Sequence, residues 1–596
     1  MEAVSAPWLK SYPPHVSPTI EPSALPTLND LLTRACEHHS GSVAFIQMGR
    51  QLTYAQFQQL AESFSGWLYA RGVRKGDRVA VMLPNILQYP VVVSGTLRIG
   101  AILVSIGVLA TAEEVEIQLR DSGAVILVAL EAALHLDARA FEGGNLRRIC
   151  ITGVGDLLPW PKRAIVNYVV RRRSGGRGKA RVSIEHFTKA LREGTREPHS
   201  LPAVSAEDVA VLQYTGGTTG VPKAAMLTHR NIVSNVLQSV AWVGDLARPP
   251  AVLVTALPLS HIFALEGSCF FFLWLGWTNV LITNPRDTEG FVRELSRYPV
   301  AFISGVNTLF KRLLNTPKFA AIRWNALRIT LGGGMAIEPE VAEEWRRATG
   351  CVLTQAWGLT ECSPGVCINP CAAPFNGSVG LPIPSTEVSV KDECGVGVPL
   401  GQHGELCVRG PQVMSGYWNA REETASVMWP GGWLRTGDVG WMSDTGFVFL
   451  VDRSKELINV SGRKVYPSEV EKVALTHPAV AEAAAAAQRD EMTGECVVLY
   501  VVRRKSAQVD EEDLLVHCRA HLARTRYHGE SCFGWRFRSR PWERFFGEAY
   551  VLPRRPDSEL RARSRYLAPR SFSRCLPDSR APGSASCQSR ARTARG

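Results

Sequence analysis

The sequence predicts an α/β protein: a large multi-subdomain N-terminal body with mixed sheets and a small β-rich unit, then a small, incomplete α+β C-terminal domain. Three observations lead there. Short apolar runs such as 77–83 and 125–130 alternate with helical stretches, the rhythm of parallel strands joined by right-handed crossovers. Between 377 and 410 this gives way to brief, glycine-rich strands. After Asp452 a new compact pattern begins and breaks off at Thr525. At 596 residues the chain also exceeds a single hydrophobic core.

Taken in order, residues 1–27 are proline-rich and read as an extended arm, and residues 28–451 as the main body. Residues 28–71 fit a helix, a hairpin around Gly49-Arg50 and a second helix from Tyr54. The apolar stretches 99–110 and 268–277 are too short to span a bilayer and read as buried elements. Residues 155–205 look like a lower-complexity insertion. Within it, 158–170 is apolar around Lys162 and Arg163 and runs into Arg171-Arg172-Arg173. That is the pattern of a surface helix touching anionic lipid, and equally of a solvated basic helix. From Asp208 the α/β rhythm resumes with a strand, a Gly/Thr loop, a helix from Thr228, and strands at 252–257, 301–304 and 327–330. The stretch 452–524 reads as strand, helix 467–476, an alanine-rich strand, strand 495–502 and helix 511–523.

The net charge of +12 invites a nucleic-acid reading, but its distribution argues against one. Residues 527–596 hold 15 arginines, no lysine and 6 acidic residues, which leaves the rest of the chain at only +3. The 45% apolar and 20% charged content is that of a soluble globular protein, so nucleic acid is not an expected partner. The N-terminus lacks a basic stretch followed by an apolar core, so no secretory signal is expected. Fourteen cysteines without metal-ligand spacing suit free thiols in a reducing cytoplasm.

The chemistry concentrates in five places. Tyr214, Thr215, Gly216, Gly217, Thr218, Thr219 and Gly220 form a hydroxyl-lined loop after an apolar strand, closed by Val221-Pro222-Lys223. Backbone N–H groups and hydroxyls of such a loop surround phosphate oxygens, and Lys223 adds positive charge. It is not the Gly-x-x-x-x-Gly-Lys-Ser/Thr loop, because Lys223 lies three positions beyond Gly220 and Ala224 follows. His261 ends Pro258-Leu259-Ser260-His261, at a strand end where open α/β sheets hold ligands or where a histidine simply fills a core edge. Gly332-Gly333-Gly334 follows another strand. Trp357-Gly358-Leu359-Thr360-Glu361 offers a ring face, a hydroxyl and a carboxylate suited to Mg²⁺ or to plain solvent. Asp438, in Thr436-Gly437-Asp438, is a carboxylate for two sugar hydroxyls, and Arg453 is a cation for the same sugar or a phosphate.

Together these motifs resemble the adenylate-forming enzymes: acyl-CoA synthetases, luciferase-like proteins and adenylation domains of peptide synthetases. The resemblance runs from about residue 28 to 524 and is strongest to bacterial long-chain fatty acid–CoA ligases, whose insertion is similar to 158–170. Residues 462–469, Gly-Arg-Lys-Val-Tyr-Pro-Ser-Glu, match the entry motif of the second domain, and Gly462 is carried over as a cofactor-binding position. The resemblance implies that ATP, a fatty acid, Mg²⁺ and coenzyme A are used. Thr218, Thr219 and Lys223 would hold the β- and γ-phosphates, and Thr360 the α-phosphate. Glu361, with Thr218, would hold the metal. Asp438 and Arg453 would fix the ribose, Gly333 and Gly334 would lie along adenine and the acyl group, and His261 would border the acyl carboxylate. Phe263, Leu265 and residues 270–273 would supply an apolar acyl tunnel. The aromatic position is usually tyrosine in the family; Trp357 keeps the ring and lacks the hydroxyl, which implies altered nucleotide affinity. The resemblance also allows a homodimer, and a cytoplasmic protein peripheral on the inner face of the membrane.

One departure is sharp. Such relatives continue into a Pro-Lys-Thr-x-x-Gly-Lys segment whose last lysine contacts the carboxylate and α-phosphate. Here no lysine follows Lys505, and residues 525–596 are rich in Arg, Ser, Pro and Ala, a composition that predicts disorder. A reading-frame change near codon 525 accounts for a break inside a domain. The expectation is therefore a long-chain fatty acid–CoA ligase with impaired adenylation. The alternatives are another acyl or aryl acid–CoA ligase and a non-catalytic ATP- or fatty-acid-binding remnant.

Overall fold

Continuous apolar runs build two largely parallel sheets, as burial on both faces requires. The computed structural model describes residues 6–538, apart from 136–137, 142–143, 175–181, 198–199, 216–221, 454–456, 461–462, 491–493, 505–510 and 523–535. By its contacts the chain divides after Arg540, and the second part, 541–596, lies outside the described residues.

One sheet has seven strands in the order Ser183–His186, Arg148–Thr152, Ile126–Leu130, Arg78–Met82, Ile102–Ser105, Val209–Thr215 and Lys223–Thr228. The first six are parallel and the last pair is antiparallel. The other has nine strands. At its centre Leu353–Gly358, Ile329–Gly332, Val300–Gly305, Val252–Thr255, Thr278–Leu281 and Val43–Gln47 run parallel in that spatial order. Their carboxyl ends therefore share one edge, which is where open α/β sheets hold ligands. The expected β-rich unit is a five-stranded antiparallel sheet, but it extends from Glu387 to Arg453 rather than ending at 410. Beyond it, Val480–Asp490 and Gly494–Arg503 form a long hairpin against helix Pro467–Leu475, with Val470, Ala474, Val497 and Leu499 in their own core.

Four expectations change. An unforeseen strand, Lys223–Thr228, stands between the Gly/Thr loop and the next helix. It pairs antiparallel with Val209–Thr215, and the expected helix follows at His229, where Thr228 and Asn231 form a capping box. The N-terminal arm is docked on the body: Trp8 is buried, Tyr12 Oη donates to Pro382 O at 2.5 Å, and Ser385 N to Pro18 O. Most of 182–197 is no loose insertion. Strand Ser183–His186 extends the seven-stranded sheet, and helix Phe187–Gly194 buries Phe187, Ala190 and Leu191. Low complexity around it hid this short amphipathic unit. Finally, the arginine-rich tail contributes a three-residue strand, Arg536–Arg538, parallel to Gly494–Arg503; the rest of 525–596 lies outside the described residues.

Helix Phe187–Gly194 crosses helix Tyr54–Ala70 where Gly194 meets Gly66, and a Cβ at Gly194 would run into Ser63 O. Beside the crossing, buried Glu185 takes two hydrogen bonds from Arg71 and one from Arg148 Nη1 at 2.9 Å. Gly194→Ala is expected to destabilise the protein by roughly 1–3 kcal/mol, the range for overpacking a filled contact. A lowered thermal midpoint checks it; an unchanged midpoint would show that the crossing is elastic.

Candidate functional site

Three strand ends meet at one edge of the nine-stranded sheet. The Val252–Thr255 strand leads to Ser260 and His261, Ile329–Gly332 to Gly333 and Gly334, and Leu353–Gly358 to Thr360 and Glu361. The seven-stranded sheet reaches the same edge through Gln213, whose Nε2 donates to Ser260 O at 3.0 Å. Asn85 fixes the turn before His261: its Nδ2 donates to Thr255 O and Leu257 O, and its Oδ1 accepts from Leu259 N at 2.9 Å.

His261 caps the short helix Ile262–Leu265, its Nδ1 accepting from Phe263 N at 3.2 Å. That assigns the proton of the neutral ring to Nε2. The ring is exposed, yet the surrounding protein desolvates it enough to hold its pKa below the ordinary value. Phe263 lies against Gly333, where an added Cβ would sit 3.4 Å from its ring and 3.2 Å from Ala356 O. Gly334 has φ +78°, the left-handed region that favours glycine. Of the expected tunnel residues, Phe263 alone is placed beside Gly333. Leu265 and residues 270–273 are buried in the main core, where Phe272 packs on Phe302 and Trp277.

Gly358 is set by close approach, since a Cβ would strike Pro364 O. This places Thr360 and Glu361, both half-buried, on the turn that follows. Glu361 is oriented by a residue outside the sequence motifs: Tyr417 Oη donates to its Oε1 at 2.7 Å. Burial, then the Glu361 carboxylate, raises the Tyr417 phenol far above its usual pKa, so it stays a donor. Lys223 Nζ lies 5.8 Å from the centre of the same ring, a cation–π distance. Tyr417 thus ties the end of the phosphate-type loop to the carboxylate. The signal was Gly416-Tyr417-Trp418, where Gly416 O accepts from Met226 N and Trp418 N donates to Ala224 O. Tyr214, by contrast, directs its hydroxyl to Asp121 Oδ2 at 2.6 Å. Gly216, Gly217, Thr218, Thr219, Gly220 and Gly462 lie outside the described residues.

Trp357 does more than present a ring. Its Nε1 donates to Asp438 Oδ2 at 2.9 Å, while Arg453 Nε sits 3.2 Å from Asp438 Oδ1. Burial raises the Asp438 pKa; Arg453 and Trp357 pull it back down without cancelling the rise. Asp438 is also the cross-strand partner of Arg453. The structure therefore gathers Lys223, Glu361, Trp357, Asp438, Arg453, Gly333, Gly334 and His261 around connected elements. Among the described residues no three His, Cys, Asp or Glu side chains form a metal cluster. One hard carboxylate, half-buried at Glu361, still fits Mg²⁺, which is commonly held by one or two carboxylates and substrate phosphates.

A second acid stands out. Glu266, in a π-helical turn just after His261, is 3% exposed, and its Oε1 accepts a bond from Ser239 Oγ at 3.5 Å. Burial pushes its carboxyl up to about 8. Because the folded pKa exceeds the unfolded one, its contribution to stability is complete below about pH 4. It is then lost as pH rises through 8. Glu266→Gln should raise the thermal midpoint at pH 8 more than at pH 5; an equal shift at both would rule out a neutral acid there.

The AMP-binding enzyme family pattern matches residues 32–418, and that of the AMP-binding enzyme C-terminal domain matches 469–529. The chain is 44% identical over 520 residues to a long-chain-fatty-acid–CoA ligase of Yersinia pestis, covering 86% of this chain and 92% of that one. In structure it is similar to ATP-bound MatB from Rhodopseudomonas palustris, with TM-score 0.70, 26% identity, and coverage of 85% of this chain and 95% of that one. It is also similar to o-succinylbenzoate coenzyme A synthetase from Bacillus subtilis in complex with ATP and magnesium, with TM-score 0.68, 25% identity, and coverage of 85% and 94%.

Proposed function

We propose that this chain, which belongs to the AMP-binding enzyme family, activates long-chain fatty acids with ATP and passes them to coenzyme A. The carrying observation is the pair of contact sets Lys223–Tyr417–Glu361 and Trp357–Asp438–Arg453, linked by the strand Leu353–Gly358 and the turn after it. A fatty carboxylate oxygen bonds to the α-phosphorus of ATP as the bond to the pyrophosphate oxygen breaks. The thiol of coenzyme A then attacks the acyl-adenylate carbonyl and AMP leaves. Carboxylate oxygen is a poor leaving group and AMP a good one, so the first step pays for the second.

In this reading Thr218, Thr219 and Lys223 hold the outer phosphates, and Thr360 meets the α-phosphate. Glu361, with Thr218, holds Mg²⁺, which supplies charge neutralisation on the phosphates. Asp438 and Arg453 take the ribose, Gly333 and Gly334 flank adenine and the acyl group, and the His261 Nε2–H donates to the acyl carboxylate. Catalysis of the first step is largely positioning and preorganised charge. Without a lysine beyond Lys505, one charge at the reacting phosphorus is missing and adenylation is slow. The names and complexes of the relatives support ATP, Mg²⁺ and coenzyme A as the small molecules. The reading is of a cytoplasmic protein working at the inner face of the membrane.

ATP–pyrophosphate exchange driven by a panel of acids tests this. Long-chain fatty acids should drive it above aryl and short-chain acids, with acyl-CoA formed on adding coenzyme A. Exchange driven by aryl acids alone would overturn the choice of substrate.

A further inference from the structure

We propose that helix Lys162–Ser174 is a docking element for an anionic lipid surface. Its inner face is fixed to the protein. Val166 and Val170 pack on the main core, and Asn167 Nδ2 donates to Asp156 Oδ1 while its Oδ1 accepts from Gly155 N, both at 2.8 Å. A helix held in this way usually turns polar side chains outward. Here the outward face is apolar as well: Ile165, Tyr168 and Val169 are exposed, and Trp160, just before the helix, is 83% exposed. The spacing from 165 to 168 and 169, and on to Arg172, is one stripe along a helix.

Charge selects the occupant. The 28 residues from 157 to 184 carry eight Lys or Arg and no acid. Arg171 is paired with Glu131 at 2.7 Å, Arg163 is 4.0 Å from Asp156, and Lys162 donates to Met48 O. Arg172 is exposed and lies 5.1 Å from the Tyr168 ring. Tryptophan, tyrosine and aliphatic groups beside arginines match the headgroup boundary, where the rings and chains enter and the cations stay with lipid phosphates. The tail, at net +9, and a second copy of the same helix have the wrong sign to cover it. Among the described residues no helix is long and apolar enough to cross a membrane, so the contact is one of lying on the surface.

Flotation of the full-length protein with phosphatidylcholine vesicles, with and without phosphatidylglycerol, tests the assignment. Binding should be at least about tenfold stronger to the anionic vesicles and should weaken with salt. Ile165→Glu with Tyr168→Glu should abolish it, and Arg172→Glu alone should weaken it about fivefold or more. Circular dichroism and gel filtration check that these exposed substitutions leave the fold intact. Binding that survives the double substitution would overturn the proposal and implicate the basic tail. So would loss with Arg172→Glu but not with the apolar pair, the pattern of a purely ionic contact. Lipid-free dimers that the double substitution dissociates would overturn it in favour of self-association. Vesicle binding requires no turnover, so its outcome is separate from that of the ligase reading.

Discussion

Glu361→Gln is expected to slow fatty-acid-dependent ATP–pyrophosphate exchange by about 10²–10³-fold, the scale of losing one preorganised electrostatic group at a reacting centre. Glutamine keeps the length of the side chain and an oxygen that can accept from Tyr417, which now donates at 2.7 Å. The backbone is held separately, since Met414 N donates to Glu361 O at 2.8 Å. The substitution therefore removes charge and little else. Tyr417→Phe keeps the charge and loses only its orientation, so about a 10-fold to 100-fold loss is expected. If Glu361→Gln exchanges pyrophosphate within threefold of the parent chain, about the context scatter of such effects, Glu361 is not part of the adenylating machinery.

The second large effect belongs to the chain beyond Ala523-Arg524. Replacing residues 525–596 with a relative's segment that contains Pro-Lys-Thr-x-x-Gly-Lys should raise adenylation by about 10²–10³-fold, since it returns a charged donor to the α-phosphate. The control is the same graft with its last lysine changed to alanine, which should fall back to the rate of the present chain. Equal rates from the two grafts would mean that the lysine is not what this chain lacks. ATP binding should change far less than the rate in all three, because the residues assigned to the outer phosphates and the ribose lie before Lys455.

The sheet body was legible because parallel strands announce themselves as uninterrupted apolar runs. The features that escaped were of another kind. Tyr417 lies 56 positions from Glu361, and Trp357 lies 81 from Asp438. No local pattern encodes partners at such distances. The strand Lys223–Thr228 was hidden because Lys-Ala-Ala-Met-Leu-Thr has neither clear alternation nor a run of branched residues, and only pairing with Val209–Thr215 makes it a strand. Glu266 escaped for the opposite reason. A glutamate in an apolar stretch reads as the helix's exposed edge, whereas the π-helical turn carries it inside.

The Asp438 contacts have a consequence for protons. Arg453 ends the strand Val448–Arg453, and its guanidinium is what chiefly opposes the effect of burial on the Asp438 carboxyl. Any swing that carries Arg453 away leaves a buried carboxylate with one counter-charge fewer, and its pKa climbs further. In such a state the residue assigned to the ribose would take up a proton more readily. Acidity would therefore favour any state in which the two residues are apart, and Arg453 keeps the carboxylate charged where the ribose is assigned.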